Sequence, residues 1–267
     1  MYANSKGLKY LHGVEVYLTA HLEPKQRDNY HTILIAKNFE GVKEINTLID
    51  LSTQPDHMYY KPRITFDEFF NISDNVIKIS ACLASPLSKY PGFVSKENDS
   101  KLVELKKMLQ DAKNKYEAMI SDTQKEDEWI DNIYSSGGED LIMPIWDFNG
   151  TTPHEEYIKE CKAICNIDEL EQEIRDINNK IEYARIIYEK LMKSYDYYEI
   201  QPHVKSLDQI RYNRMLYEAA KKYNKPLIAG TDTHSINSYK AECRSILQKA
   251  KHIEFSNEDE FDLTYKS

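Results

Sequence analysis

Residues 227–234 read LIAGTDTH, an apolar strand that runs directly into the Asp-x-His pair Asp232 and His234. In β/α architectures the loops at the carboxyl ends of parallel strands form the face where chemistry is usually done. An aspartate and a histidine two residues apart on an extended loop can direct a carboxylate oxygen and an imidazole nitrogen at one divalent cation. For the pair alone, an Asx-type turn with the histidine on the surface is an equally good interpretation.

The segments outward from this stretch alternate strand and helix signals, which is typical of an α/β domain. Apolar alternation predicts strands, whereas three- and four-residue spacing predicts helices. In the last third of the chain we predict strands over 197–201 and 226–230 and helices over 207–223 and 239–251. In the first third we predict strands over 13–18, 30–36 and 76–80, a helix over 39–51, and a short helix that Thr65 could cap.

Between these thirds the apolar residues follow alternating three- and four-residue steps, the pattern of a coiled-coil seam. The two seams consist of Leu102, Leu105, Leu109, Ala112, Tyr116 and Met119, and of Ile167, Leu170, Ile174, Ile177, Ile181, Ala184, Tyr188 and Leu191. Two such helices can fold back on each other as an antiparallel hairpin. We therefore predict an inserted helical arm over 96–194, while 1–95 and 195–267 form one split α/β domain. The alternative, that the stripes pack on that domain, stays open.

Three further candidate ligands stand in or just after predicted strands. Glu15 interrupts the apolar strand GVEVYL, where a buried carboxylate needs a metal or a salt bridge as partner. His31 opens the strand YHTILIA and is either a ligand or a satisfied core histidine. Cys82 follows the strand VIKIS and is either a ligand or a small buried residue. Together with the Asp-x-His pair these residues are consistent with a metal cluster, although their spacing is dispersed.

The composition excludes several classes of protein. With 267 residues, of which 41% are hydrophobic and 30% charged, the chain is ordered and long enough for a large α/β core. Its 4 cysteines include no CxxC pair and are too few for a disulfide scaffold. No apolar run could span a bilayer, so we expect a cytoplasmic protein without a membrane partner. The net charge of −9 argues against free-standing, non-specific DNA binding.

Seven strings in the outer thirds of the chain occur in the order found in one known family. They are GVEVYL, YHTILIAKN, YYKPRI, ISACLAS, YYEIQPH, PLIAGTDTH and EFDLTYKS. In these strings the chain resembles the PHP domain of bacterial and phage DNA polymerase III alpha subunits. The resemblance implies a distorted β/α barrel with divalent metals at the strand ends and, in some members, 3′–5′ exonuclease activity. In other members ligands are lost and the domain supports the polymerase structurally.

The resemblance also assigns roles to individual residues. It implies that Glu15, His31, Cys82, Asp232 and His234 are metal ligands, and that His203 lies near the site without being a ligand. Imidazole and thiolate donors suit Zn²⁺, Mn²⁺ or Fe²⁺ better than Mg²⁺. The family opens with a His-x-His strand and a second Asp- or His-bearing strand, which this sequence does not contain. We therefore expect an incomplete barrel, cut short at its N-terminus, and the helical insertion is a further departure from the family.

The function implied by the resemblance is that of the PHP portion of a replicative polymerase. The parent protein would be a nucleotidyltransferase that carries out DNA-directed DNA synthesis, and this portion would at most hydrolyse phosphodiesters with metal assistance. Its partners would be DNA, reached through the parent polymerase, and the remaining polymerase domains or replisome subunits. Two alternatives stay open: a free-standing PHP phosphoesterase of the histidinol-phosphatase type, and a non-catalytic structural or interaction protein.

Overall fold

The computed structural model describes residues 2–23, 25–136, 152–203, 205–252 and 264. The chain divides into two units, one formed by Met1–Phe93 with Arg185–Ser267 and the other by Val94–Ala184. The first unit contains the sheet and is called the α/β unit below, and the second is called the helical unit. The closing string EFDLTYKS lies outside the described residues except for Thr264, which forms a parallel bridge with Ser235.

The helices and strands follow one another along the described parts of the chain. In order they are α1 (Tyr2–Ser5), β1 (Gly13–Thr19), β2 (Tyr30–Ala36), α2 (Phe39–Ser52), β3 (Met58–Tyr59), β4 (Lys61–Thr65), α3 (Phe66–Phe70), β5 (Val76–Ile79), α4 (Pro86–Ile120), α5 (Thr123–Ser136), α6 (Pro153–Ile164), α7 (Ile167–Ser194), β6 (Tyr198–Ile200), α8 (Leu207–Tyr223), β7 (Leu227–Ala229) and α9 (Ser238–Ala250).

The sheet of the α/β unit is mixed and open. Five strands lie in the order β3-β4-β1-β2-β5, with β1 antiparallel to β2 and parallel to β4. The strands β6 and β7 form a parallel pair, and a bridge between Ile79 and Tyr197 links β5 to the segment that leads into β6. The predicted α/β class is thus confirmed, whereas within the described ranges the strands do not close into the predicted barrel.

Local sequence signals explain why these elements form. On β2 buried and half-buried residues alternate, as expected when one face of a strand packs on the core. Asn38 caps α2 by accepting a hydrogen bond from the backbone N–H of Gly41. Thr65 and Glu68 form a complete capping box at α3. At α8 the Ser206 side chain accepts a hydrogen bond from the Gln209 N–H.

A buried arginine supports one loop of the α/β unit. Arg63 on β4 is only 2% exposed. Its Nη1 donates to the carbonyl oxygens of Gln26 at 2.7 Å and Asp28 at 3.4 Å, and its Nε donates to that of His57 at 3.4 Å. Burial lowers the pKa of Arg63, but the nearby Asp28 carboxylate opposes this change. The guanidinium therefore fixes the loop before β2 from beneath, because a buried charge must be hydrogen-bonded.

The helical unit has an apolar core of its own. Leu102 and Leu105 of α4 are buried with Ile177 of α7. Lys113, further along α4, pairs with Glu171, which precedes Ile177 on α7, so the two helices run antiparallel as predicted. Whether they supercoil stays a prediction. The helices α5 and α6 were not predicted, and among the described residues no helix is long and apolar enough to cross a membrane.

Gly41 allows α2 to lie close to the sheet, which leads to the first prediction. A methyl group added there would overlap the backbone carbonyl oxygen of Asn75, which cannot rotate away. We expect Gly41→Ala to lower the free energy of unfolding by about 1–3 kcal/mol. Urea denaturation followed by circular dichroism measures this. Asn46→Ala, at an exposed position of the same helix, is the control and should change stability little. Equal stabilities of Gly41→Ala and the parent would contradict the packing described here.

His57 makes stability depend on pH. Its two ring nitrogens lie 2.8 Å from carboxylate oxygens of Asp56 and Glu68. Burial acts to lower the pKa of His57, but these two hydrogen bonds outweigh it and raise the pKa. A raised folded-state pKa gives stability that is fully present below the unfolded value of about 6.5 and is lost as pH rises through the folded value.

We therefore expect His57→Gln to be less stable than the parent by about 1–3 kcal/mol near pH 6. The difference should narrow towards pH 9, because the imidazolium of the parent is lost over that interval. Denaturation of both proteins at several pH values gives the difference between their free energies of unfolding. The contributions of ionisable groups common to both proteins cancel in that difference. His21→Gln, at an exposed histidine, is the control. A difference that stays constant with pH would show that His57 contributes only as a neutral hydrogen-bonding group.

Candidate functional site

Three of the predicted site residues meet at one end of the sheet. In the β1–β2 register Tyr17 lies opposite His31, so Glu15, two residues from Tyr17, projects from the same face. Nδ1 of His31 lies 3.3 Å from Oε1 of Glu15 and 3.8 Å from Sγ of Cys82, which follows β5. The ring of Tyr17 packs edge-on against His31 with centroids 5.0 Å apart. The local pairing of strands thus brings together Glu15, His31 and Cys82.

The electrostatics of this group favour a proton on His31. Burial works to lower the pKa of His31, but the hydrogen bonds with Cys82 and Glu15 outweigh it and raise the pKa to about 10. The same hydrogen bond from His31 lowers the pKa of Glu15. The Glu15 side chain is 41% exposed. The expectation that this carboxylate is buried in the strand was therefore wrong, although the expected partner is present.

Asp232 and His234 form a second group on the loop after β7. Nε2 of His234 lies 3.3 Å from Oδ1 of Asp232, and the hydroxyl groups of Thr231 and Thr233 lie 2.8 Å apart. Asp232 has a positive φ of 46°, so the backbone turns sharply at this residue. The charge of His234 contributes to lowering the pKa of Glu15. The loop therefore lies within electrostatic range of that carboxylate.

Glu199 on β6 is a site residue that sequence reasoning missed. It is only 6% exposed, and its Oε1 accepts a hydrogen bond of 2.8 Å from Nε2 of Gln201. Burial raises the pKa of Glu199, and the charges of Asp232 and Glu15 raise it further. The carboxylates of Asp232 and Glu15 are therefore close enough to influence that of Glu199. The signal was available in the string YYEIQPH, because a glutamate inside a strand needs a structural or chemical reason.

The residues offer suitable donors for a metal but not a finished site. Carboxylate, imidazole and thiol groups suit borderline divalent metals such as Zn²⁺. Within the described residues, however, no three His, Cys, Asp or Glu side chains are arranged to hold one ion. Instead, Glu15 and Cys82 both approach the same nitrogen of His31. In the described arrangement these side chains therefore contact one another rather than converge on a common point.

His203 is the remaining predicted near-site residue. It is buried in the segment after β6, where its backbone carbonyl accepts a hydrogen bond of 3.3 Å from the Ser206 N–H at the start of α8. This contact connects His203 to the helix cap. Its placement near the site stays a prediction.

Comparison with known proteins finds one domain family and two relatives that this chain resembles. Residues 1–127 match the PHP domain family. The chain is 24% identical over 152 residues to DNA polymerase III subunit alpha of Aquifex aeolicus, which covers 53% of this chain and 11% of that protein. It is 37% identical over 87 residues to DNA polymerase III subunit alpha of Borreliella burgdorferi, which covers 30% of this chain and 8% of that protein.

Residues 1–127, slightly less than half of the chain, thus match the PHP domain family that the resemblance named. The matched range contains Glu15, His31 and Cys82, whereas Asp232 and His234 lie beyond it. The chain matches only about a tenth of the length of either curated relative.

Gly230 leaves room for the carboxylate of Glu199. A methyl group on Gly230 would overlap the buried carboxylate of Glu199, which would have to shift and break its hydrogen bond with Gln201. We expect Gly230→Ala to lower the free energy of unfolding by about 1–3 kcal/mol. In a Glu199→Ala background the same change should cost much less, because the space is then free. A double-mutant cycle of denaturation measurements tests this coupling, and simple additivity of the two changes would contradict the contact.

Proposed function

We propose that this chain is the PHP module of a replicative polymerase of the DNA polymerase III alpha type. The observation that carries the proposal is the match of residues 1–127 to the PHP domain, together with relatives that are both DNA polymerase III alpha subunits. The parent protein would be a nucleotidyltransferase that synthesises DNA. Its partners would be DNA and the remaining polymerase domains or replisome subunits, and DNA replication would place it in the cytoplasm.

For the module itself we propose metal-dependent phosphodiester hydrolysis of the 3′–5′ exonuclease type. The proposed ligands are Glu15, His31, Cys82, Asp232 and His234, and the expected metals are Zn²⁺, Mn²⁺ or Fe²⁺ rather than Mg²⁺. Three contacts support this proposal. Glu15 and Cys82, which are distant in sequence, both approach His31. Asp232 and His234 pair with each other on the loop at the end of β7. Loss of the His31 proton would have to precede metal binding, because ligands bind in their deprotonated form.

The same proposal includes the domain organisation. We propose that 1–95 and 195–267 form a split PHP domain with an incomplete distorted barrel, and that 96–194 is a helical insertion. The division of the chain into an α/β unit and a helical unit supports this arrangement. The antiparallel contacts between α4 and α7 support a hairpin.

A non-catalytic role is the second candidate, and one observation favours it. Among the described side chains no group is set to hold a metal ion, and the hydrogen bonds around His31 are satisfied without one. In this alternative the module would support the polymerase structurally. The two candidates differ in a measurable property, which is the metal bound by the purified chain.

Metal content distinguishes the two candidates. We expect protein purified without chelators to contain about one or more Zn, Mn or Fe per chain by elemental analysis. Glu15→Gln and Asp232→Asn should each weaken metal affinity about 10–100-fold, because each removes an anionic oxygen donor. Chelation should abolish cleavage of single-stranded DNA, and adding back the metal that was found in the purified protein should restore cleavage.

Asp208→Asn is the matched control, because Asp208 is an exposed aspartate on α8. It should leave the metal content unchanged. Protein free of metal, or metal that is indifferent to both site changes, would reject the hydrolytic assignment and uphold the structural one.

A further inference from the structure

An open cavity of about 520 Å³ lies beside the candidate site within the α/β unit. Its lining residues come from the loop before β2, from the start of that strand, and from the first turn of α4. They are Arg27, Asp28, Asn29, Tyr30, Ala84, Ser88 and Lys89. The lining therefore combines two cationic side chains, one carboxylate and neutral groups that can donate hydrogen bonds.

The two cations are available to a ligand. Arg27 and Lys89 are both exposed, and within the described ranges neither forms an ion pair. The Arg27 guanidinium lies 5.7 Å from the centre of the Tyr60 ring, which restricts its position without neutralising it. Guanidinium and ammonium groups that converge on one cavity are the usual recognition elements for phosphate.

The only carboxylate of this lining is occupied. Asp28 accepts hydrogen bonds from the Gln26 amide and the Tyr30 hydroxyl. Its charge also interacts favourably with the buried guanidinium of Arg63, because Asp28 opposes the lowering of the pKa of Arg63. Asp28 is therefore balanced from beneath, whereas Arg27 and Lys89, which also line the cavity, have no ion-pair partner within the described ranges.

The walls of the cavity are held in place by hydrogen bonds. Arg63 binds the carbonyl oxygens of Gln26 and Asp28 on either side of Arg27. On the opposite wall, Ser85 fixes the first turn of α4, because its carbonyl oxygen accepts from the N–H of Ser88 and of Lys89 at 3.1 Å each. A preformed site loses less entropy when a ligand binds.

Ala84 joins the cavity to the candidate site. Its carbonyl oxygen accepts from the His31 N–H at 2.9 Å, and its own N–H lies 3.5 Å from the Cys82 sulfur. The cavity thus lies next to the group formed by Glu15, His31 and Cys82, because Ala84 both lines the cavity and contacts that group. A nucleic-acid strand with one phosphate in the cavity would direct an adjacent phosphodiester towards that group.

We propose that this cavity is a phosphate-binding subsite that holds the backbone phosphate of single-stranded DNA next to the candidate site. The choice of DNA as the source of the phosphate rests on the proposed function, whereas phosphate binding itself rests on the cavity alone. The distribution of charge agrees with the proposal. Residues 94–184 carry 22 Asp and Glu against 11 Lys and Arg, but the rest of the chain carries 22 against 24. The net negative charge thus belongs to the helical unit.

The test uses the full chain in the presence of chelator, so that no metal is needed. Fluorescence anisotropy measures the affinity for a short labelled single strand at several salt concentrations, and calorimetry measures inorganic phosphate. Arg27→Gln and Lys89→Gln should each weaken both affinities about tenfold. For DNA, each change should also reduce the slope of log K against log salt by about 0.7.

Lys37→Gln is the matched control, because Lys37 is an exposed lysine just beyond the other end of β2. It should retain both affinities. Phosphate binding that is absent in the parent, or unchanged in Arg27→Gln and Lys89→Gln, would overturn the subsite. So would an equal loss in Lys37→Gln, because the effect would then reflect overall charge.

The DNA measurement separates this inference from the proposed function. If inorganic phosphate binds and requires Arg27 and Lys89, while the single strand does not bind, the phosphate subsite is upheld and its assignment to DNA is rejected. If the single strand binds with full affinity to both variants, the subsite is rejected and DNA binding by the chain stands.

Discussion

One buried charge fixes the geometry on which the candidate site depends. Arg63 lies under the loop before β2 and binds three backbone carbonyl oxygens, those of Gln26, Asp28 and His57. A guanidinium without these partners could not remain buried, since the cost of desolvating an unpaired charge is large. The loop must therefore follow the path that supplies the carbonyls. That path sets where β2 begins, and with it the position of His31 relative to β1 and to the turn after β5.

His31 is in turn the centre of the site, because one of its nitrogens is shared by Glu15 and Cys82. The proton that this sharing stabilises is the competitor of any metal. A divalent metal ion could replace this proton only if the carboxylates of Glu199 and Asp232 approached it as well. Glu199 and Asp232 are close enough to affect each other electrostatically, so negative charge for a cation is available in the neighbourhood. A metal bound at His31 would have to displace this proton, because a histidine ligand binds in its neutral form.

The sequence alone predicted eight strands and helices of the α/β unit within about two residues, because their signals are local, but it did not predict α1, β3 or β4. The strand over 30–36 and the helix over 207–223 have the predicted bounds. Features that depend on residues distant in sequence were not predicted. The burial of Arg63, the contact between Gly230 and Glu199, and the convergence of Glu15 and Cys82 on one nitrogen of His31 all require the tertiary fold. Glu15 shows the same limit, since its pattern predicted burial but its exposure depends on what covers the strand end.

The net charge of the whole chain does not describe the charge around the cavity lined by Arg27 and Lys89. A net charge summed over the whole chain ignores its division into two units. The acidic excess belongs to the helical unit, which has its own apolar core. Electrostatic attraction of a phosphate is decided mainly by charges within about 8 Å in physiological salt. The relevant balance is therefore local: two cations without ion-pair partners in the described ranges, one carboxylate already engaged, and a buried guanidinium beneath them. On that balance, a chain with a negative total charge can still present an anion-binding surface next to its candidate site.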